Sequence, residues 1–128
     1  MAPVAAADPG DFANFPELCI NTLNGLRARQ IEKLFPVQYE TFRRISNKED
    51  MIVRDLTGSG KTLGFCLPMV TRLRTERLFG QGSPQAMILA PTRELALQIT
   101  KELTALKHHD REYNVLTVYG GSNIYEQT

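Results

Sequence analysis

The sequence predicts an α/β fold of three layers, in which helices cover both faces of a parallel β-sheet. Three short apolar runs, residues 51–54, 85–90 and 114–119, indicate strands. The segments between these runs are longer than ten residues and repeat apolar side chains at helical spacing. Strands that alternate with such helices form right-handed β-α-β units, so we expect about three parallel strands.

The composition is typical of a globular protein with one core. The chain has 128 residues, of which 42% are hydrophobic and 23% charged. A net charge of +1 excludes a bulk electrostatic footprint, so any nucleic-acid binding must come from placed groups. No apolar run is long enough for a membrane span, and we expect an intracellular protein with no membrane partner. Residues 1–10 are expected to form a flexible tail before a domain at residues 11–128.

Four helices are predicted from the apolar spacing and the capping residues. The first begins near Pro16 and ends near Arg27, and the second runs from Pro36 to about Ser46. The third starts at Lys61, is kinked or divided at Pro68, and ends near Arg77. The fourth follows 91–92 and reaches about 107.

Several polar or reactive side chains on these elements have simple expected roles. The arginines on the third helix are expected to form a solvated face, and the two adjacent histidines are expected on a solvated connector. Both cysteines lie in apolar helical patterns, so we expect buried thiols. These residues are Arg72, Arg74, Arg77, His108, His109, Cys19 and Cys66.

A glycine-rich loop connects the first predicted strand to the third helix. Its amides at Gly58, Ser59 and Gly60 are positioned to surround a phosphate at a helix N-terminus, and Lys61 supplies a full positive charge. Thr62 follows the lysine and offers a hydroxyl to Mg²⁺. The alternative is a Gly-Ser-Gly turn that precedes a lysine by chance.

Three further features suit nucleotide or RNA. Gln38 can pair with the N6 and N7 edge of adenine, which favours ATP over guanine nucleotides; a solvated helix residue is the alternative. Thr92 and Arg93 offer a hydroxyl, a guanidinium and a helix N-terminus to an RNA phosphate, or they form a capped helix start in solvent. Gly120-Gly121 permits close approach of a phosphate, or it is a plain turn. The turns at 57–62, 91–92 and 120–121 all follow strands, so we expect them on one edge of the sheet.

These residues resemble the first RecA-like domain of DEAD-box RNA helicases. Phe12, Gln38, Thr57 to Thr62, the hexapeptide 91–96 and Gly120-Gly121 occur in that family's order and spacing. The forms Phe-x-Asn-Phe-Pro and Leu-Phe-Pro-Val-Gln resemble the nucleolar Gu-type branch.

The resemblance implies a P-loop NTPase fold and a role for each of these positions. It implies ATP with Mg²⁺ at Thr57 to Thr62 and Gln38, with Phe12, or failing that Phe15, stacked on the base. It implies RNA-backbone contact at Pro91, Thr92, Arg93, Gly120 and Gly121, a second helicase domain as partner, and a nuclear or nucleolar location, with the cytoplasm also open.

The chain departs from the family pattern at two places. Asp55 stands where the family usually has alanine, and we expect it to weaken ATP binding modestly. The sequence contains no Asp-Glu-Ala-Asp motif, so we expect an incomplete ATP-binding half of a helicase domain, without the second domain, that turns over little ATP alone. A non-catalytic nucleotide- or RNA-binding module and an unrelated P-loop nucleotide kinase are the alternatives, and the oligomeric state is left open.

Overall fold

A computed structural model describes residues 8–55 and 60–121. A short 3₁₀ helix, Phe12–Asn14, is followed by α1 (Ile20–Ala28), α2 (Pro36–Ser46), α3 (Lys61–Thr75) and α4 (Arg93–Ala105). All four predicted helices are present. The first begins four residues later than expected, at Ile20 instead of near Pro16, because residues 15–18 form a turn in which the Leu18 amide donates to the Phe15 carbonyl at 3.0 Å.

Local chemistry accounts for the starts of α2 and α4. Pro36 occupies the first turn of α2, and the Gln38 side chain accepts a hydrogen bond from the Phe35 amide at 2.8 Å. The Thr92 hydroxyl accepts one from the Leu95 amide at 3.2 Å, which caps α4. Both N-terminal ends therefore have side-chain partners for otherwise unsatisfied amides.

The core lies mainly between α2 and α3, with α1, α4 and the 3₁₀ helix packed around it. Phe15 and Phe42 meet edge to face with ring centroids 5.1 Å apart, and both are almost fully buried. The cluster continues through Leu26 of α1, Leu67 of α3 and Leu103 of α4, and through Leu34 in the connector before α2.

Gly64 of α3 packs tightly against α2. A Cβ there would lie 3.2 Å from the Thr41 hydroxyl oxygen, so a larger residue would push the helices apart. Pro68 lies inside α3 without ending it. Proline has no N–H for the carbonyl of Gly64, four residues earlier, and the Thr41 hydroxyl donates to that carbonyl instead at 2.5 Å.

No residue within 8–55 or 60–121 is assigned to a strand, so the three-stranded parallel sheet stays a prediction. The segment 86–90 nevertheless alternates like a strand: Ile88 and Ala90 pack on the core, whereas Met87 and Leu89 are more than four-fifths exposed. Leu116 and Val118 are exposed in the same way. Parallel strands are usually covered on both faces, and here helices cover one.

Three expectations about individual side chains were wrong. Cys19 is exposed, although Cys66 is buried as expected. Arg74 does not belong to a solvated helix face, because its guanidinium contacts the Glu112 carboxylate at 2.5 Å. His108 is half-buried and contacts α1.

Most of the predicted flexible tail, residues 1–7, lies outside the described residues. Its last residues are held in place: the Asp8 carboxylate contacts the Lys33 ammonium at 2.9 Å, and the Leu34 amide donates to the Gly10 carbonyl at 2.8 Å.

Candidate functional site

A cleft of about 750 Å³ lies at the N-terminal ends of α2 and α3 and reaches α4. Its lining includes Phe35, Gln38, Gly60, Lys61 and Thr62. The opposite rim carries charged side chains of both signs, namely Arg29, Glu32, Lys33 and Glu102. Gln38, which the sequence assigned to base recognition, therefore shares one cavity with Gly60, Lys61 and Thr62 of the predicted phosphate loop.

Gln38 joins the two halves of this cleft. Its side-chain nitrogen donates to the Gly60 carbonyl at 3.3 Å, and its side-chain oxygen accepts from the Phe35 amide at 2.8 Å. A carboxamide has two N–H groups and two acceptor positions on oxygen, so one donor and one acceptor remain for a ligand. The side chain is 5% exposed, which holds it in one orientation.

Gly60 fits its position only as glycine. Its φ is 88°, in the left-handed region, and an added Cβ would lie 2.4 Å from the Gln38 side-chain nitrogen. The loop can therefore pass this close to α2 only with a glycine at the start of α3.

The phosphate-loop residues are only partly described. Thr57, Gly58 and Ser59, predicted to surround a phosphate, lie outside the described residues. The Lys61 ammonium donates to the Asp55 carbonyl. No acidic residue lies in the first turn of α3, which leaves the positive end of the helix uncompensated for an anion.

Mg²⁺, which the loop pattern implies, would have few ligands from the protein. The described residues contain no group of three His, Cys, Asp or Glu side chains that fits a metal. Thr62 lines the same cleft. Mg²⁺ in nucleotide sites usually takes most of its ligands from phosphates and water. One protein hydroxyl is compatible with that coordination.

Phe12 and Phe35 differ in burial and in their position relative to the cleft. Phe12 is 7% exposed, packs in the core beside the Arg27 guanidinium, and does not line the cleft. Its stacking on a base stays a prediction. Phe35 is 53% exposed and lines the cleft beside Gly60.

Sequence reasoning missed Phe35, although a signal was present. It occupies the N-cap of α2, where a small polar residue is the usual choice. A large aromatic residue at such a position has no capping role.

The residues predicted to contact RNA form a second, exposed region. Pro91, Thr92 and Arg93 are exposed at the start of α4. The Arg93 guanidinium lies 4.6 Å from the centroid of the Tyr119 ring. This contact brings the start of α4 next to the Gly120-Gly121 turn, so two segments separated in the sequence become neighbours.

A glycine-rich sequence that leads into a Lys-Thr helix start is typical of the P-loop class of nucleotide-binding proteins. The model of the DEAD/DEAH box helicase family matches residues 35–128. The chain belongs to this family.

Relatives and a solved structure agree with that assignment. Nucleolar RNA helicase 2-B of Xenopus laevis is 38% identical over 120 residues, which are 92% of this chain and 14% of the relative. ATP-dependent RNA helicase DDX50 of Homo sapiens is also 38% identical over 120 residues, 92% of this chain and 16% of the relative.

The crystal structure of a DEAD box protein from the hyperthermophile Methanococcus jannaschii superposes with a TM-score of 0.69 at 35% identity, over 89% of this chain and 30% of the other. The resemblance to the nucleolar branch is thus confirmed, and the chain spans about one sixth of the curated relatives. Among the described residues, no helix combines the length and apolar character that crossing a membrane requires.

Proposed function

We propose that this chain binds ATP and RNA backbone as part of an ATP-dependent RNA helicase. The observation that carries the proposal is the contact of the Gln38 side chain with the Gly60 carbonyl at 3.3 Å. It couples a group able to recognise adenine to the end of the phosphate loop, where α3 begins. Names of relatives that include "nucleolar RNA helicase" and "ATP-dependent RNA helicase" support the same activity.

In the proposed complex, four cleft residues each make a different contact with the nucleotide or with Mg²⁺. The free N–H and the free acceptor position of Gln38 pair with N7 and the N6 amino group of adenine. The exposed face of Phe35 packs on the base. The Lys61 ammonium exchanges the Asp55 carbonyl for the β and γ phosphates, and the Thr62 hydroxyl binds Mg²⁺.

Thr57, Gly58 and Ser59 complete the proposed phosphate site through their backbone amides. Phe12 and Phe15 stay second candidates for the base, but both are buried.

RNA is proposed to bind along the exposed start of α4 and the neighbouring glycine turn. Arg93, held by the Tyr119 ring, and the amides at Thr92 and Arg93 offer donors to a phosphate. The turn at Gly120 and Gly121 has open space on its surface, which allows a phosphate to reach the main chain.

The larger assembly follows from the family. We propose that segments 51–54, 85–90 and 114–119 pair as a parallel sheet in the complete RecA-like domain, with their exposed apolar side chains covered. A second helicase domain would supply the rest of the ATP site, and the protein would act in the nucleus or nucleolus.

The nucleotide assignment is tested by titration of the chain with fluorescent ATP and GTP analogues in the presence of Mg²⁺. The unmutated chain is expected to prefer the adenine nucleotide by at least about tenfold, the scale of one bidentate pair. Gln38→Ala is expected to remove that preference.

Gln98→Ala is the matched control, since Gln98 lines the same cleft from α4. Its preference should be unchanged. Equal affinities of the unmutated chain for the two nucleotides would refute the base-reading role.

The RNA assignment is tested by single-stranded RNA binding at several salt concentrations. Arg93→Ala is expected to weaken binding and to lower the slope of log affinity against log salt by about one. Arg111→Ala, on an exposed connector, should leave the slope unchanged. The same slope in both variants would remove Arg93 from the proposed interface.

A further inference from the structure

A cluster of polar side chains lies away from the cleft and has no part in the proposed function. Cys19, at the N-cap of α1, and Thr22, in its first turn, meet the connector after α4 at His108. Arg74, in the last turn of α3, and Glu112 complete this thiol–imidazole cluster. None of these five residues lines the nucleotide cleft.

The cluster places a thiol in reach of a base. The sulfur of Cys19 lies 3.2 Å from Nε2 of His108, and the Thr22 hydroxyl lies 2.9 Å from the same nitrogen. The hydroxyl is also 3.4 Å from the sulfur, where it can donate to a thiolate. A nucleophile and a base within hydrogen-bond reach are the first requirement for an activated thiol.

Glu112 and Arg74 fix the position of the segment that carries the His108 imidazole. The backbone amide of His108 donates to one Glu112 oxygen at 2.7 Å, and Arg74 donates to the other at 2.5 Å. The Arg74 guanidinium also donates to the Leu106 carbonyl at 3.3 Å. Nδ1 of His108 faces Glu112 at 3.8 Å, which favours the tautomer with its proton on Nδ1. Nε2 is then left unprotonated toward the sulfur.

The surroundings of the pair favour the neutral, unprotonated form of the imidazole. Burial and the positive charge of Arg74 lower the pKa of His108, against the opposing effect of Glu112, so the ring is neutral near pH 7. His109 adds a smaller contribution in the same direction as Arg74.

Partial burial raises the pKa of the Cys19 thiol, but the Thr22 hydroxyl, the amides that begin α1 and Arg74 outweigh it and bring the pKa below its ordinary value.

The two cysteines of the chain differ in access. Cys19 is exposed, whereas Cys66 is fully buried in the core, and burial raises its pKa to about 12. The chain therefore contains its own unreactive comparison thiol.

We propose that Cys19 is a nucleophilic thiol that exchanges with small disulfides, with His108 as its base. Nε2 of His108 takes the thiol proton, and the sulfur bonds to one sulfur of the incoming disulfide. The disulfide's own S–S bond breaks, and the departing thiolate recovers the proton from His108. One disulfide is consumed and one mixed disulfide forms, so no further oxidant is needed.

The experiment exposes the whole chain to glutathione disulfide near neutral pH and follows the adduct by mass spectrometry. A single adduct on Cys19 is expected, with none on Cys66. The folded chain is expected to react faster than the same chain unfolded in urea. A folded chain that reacts no faster than the unfolded one would overturn the proposal.

A pair of variants separates base assistance from simple exposure. His108→Gln keeps a polar side chain but cannot take the proton, and it is expected to slow the reaction by about tenfold or more. His109→Gln, one residue along the connector, is the matched control and should react at the unmutated rate. Equal rates for the two variants would show that His108 gives no assistance, whatever the stability of either variant.

Discussion

At the residue scale, two buried threonines are almost equally buried but differ in hydrogen bonding. Thr41 and Thr71 are 4% and 5% exposed in the same helical core. The Thr41 hydroxyl donates to the Gly64 carbonyl, to which Pro68 cannot donate because proline has no N–H. The Thr71 hydroxyl has no hydrogen-bond partner among the described residues.

Replacement of each threonine by valine is expected to change stability in opposite directions. Thr41→Val leaves a buried carbonyl unsatisfied and should lower the free energy of unfolding by about 1–3 kcal/mol. Thr71→Val removes a desolvated hydroxyl and should raise it by up to about 1 kcal/mol. Urea denaturation of the two matched variants measures both, and changes of equal sign would contradict the assigned hydrogen bonds.

Asp55 precedes the predicted phosphate loop and is expected to weaken ATP binding. Its carbonyl accepts from the Lys61 ammonium, so a residue with a negative side chain lies beside the proposed phosphate-binding lysine. Removal of that charge by Asp55→Ala is expected to strengthen ATP binding severalfold, as measured by the same nucleotide titration. Asp110→Ala, on an exposed connector, is the control, and unchanged affinity after Asp55→Ala would show that the carboxylate is harmless.

The residues of the candidate site differed in how far sequence could predict them. Gln38 and Gly60 belong to specific spacings, and the structure brings them into contact. Phe35 was missed because its exposure depends on the turn before α2, which periodicity does not describe. Cys19 was assigned to the core from its apolar neighbours. In the structure it is the N-cap of α1, which begins at Ile20, and its thiol is exposed to solvent.

At the scale of elements, α1, α2 and α3 end in the same way. In each, the residue after the C-cap has a φ near +60°, and two backbone hydrogen bonds fold the chain back over the last turn. The residues in this left-handed position are Gln30, Lys48 and Arg77. Glycine is the usual choice there because side chains with a Cβ are strained.

Arg77→Gly is therefore expected to stabilise the protein, by about 1 kcal/mol, through relief of that strain. Arg72→Gly, inside α3, is the opposite control and should destabilise by about 1 kcal/mol. Thermal and urea unfolding of the two variants measure the effect. A loss of stability in Arg77→Gly would show that the arginine side chain contributes more than its backbone strain costs.

The link between α3 and the connector after α4 is expected to depend on pH. Partial burial raises the pKa of Glu112, but the bond from Arg74 and the amide of His108 outweigh it, so the pKa falls below the reference value of 4.5. A carboxyl with a lowered pKa stabilises the fold above its unfolded pKa, and this contribution is lost as pH falls through the folded pKa.

Glu112→Gln is expected to be less stable than the unmutated chain near neutral pH, with a difference that shrinks as the pH falls below about 4. Glu40→Gln, on the exposed face of α2, serves as the control. Urea unfolding across this range measures the difference. If the difference between Glu112→Gln and the unmutated chain stayed constant with pH, the ionised carboxylate would have no role in the link.

At the scale of the whole molecule, helices were predictable from sequence and the sheet was not observable in the described residues. Apolar spacing, Pro36 and the Thr92 cap are local signals, and the helices they predict are present. Strand pairing depends on partners distant in sequence and on layers that cover both faces. The exposed apolar side chains of 86–90 and 116–118 show where such a layer would pack.

The central claim is that the cleft between the starts of α2 and α3 is the ATP site. Titration of the isotope-labelled chain with ATP and Mg²⁺, followed by amide NMR, tests it most directly. The expected result is that signals of Phe35, the Gln38 side-chain amide, Gly60 and Lys61 shift together, while those of the thiol–imidazole cluster stay in place. Shifts confined to residues outside the cleft, or equal shifts with GTP, would contradict the claim.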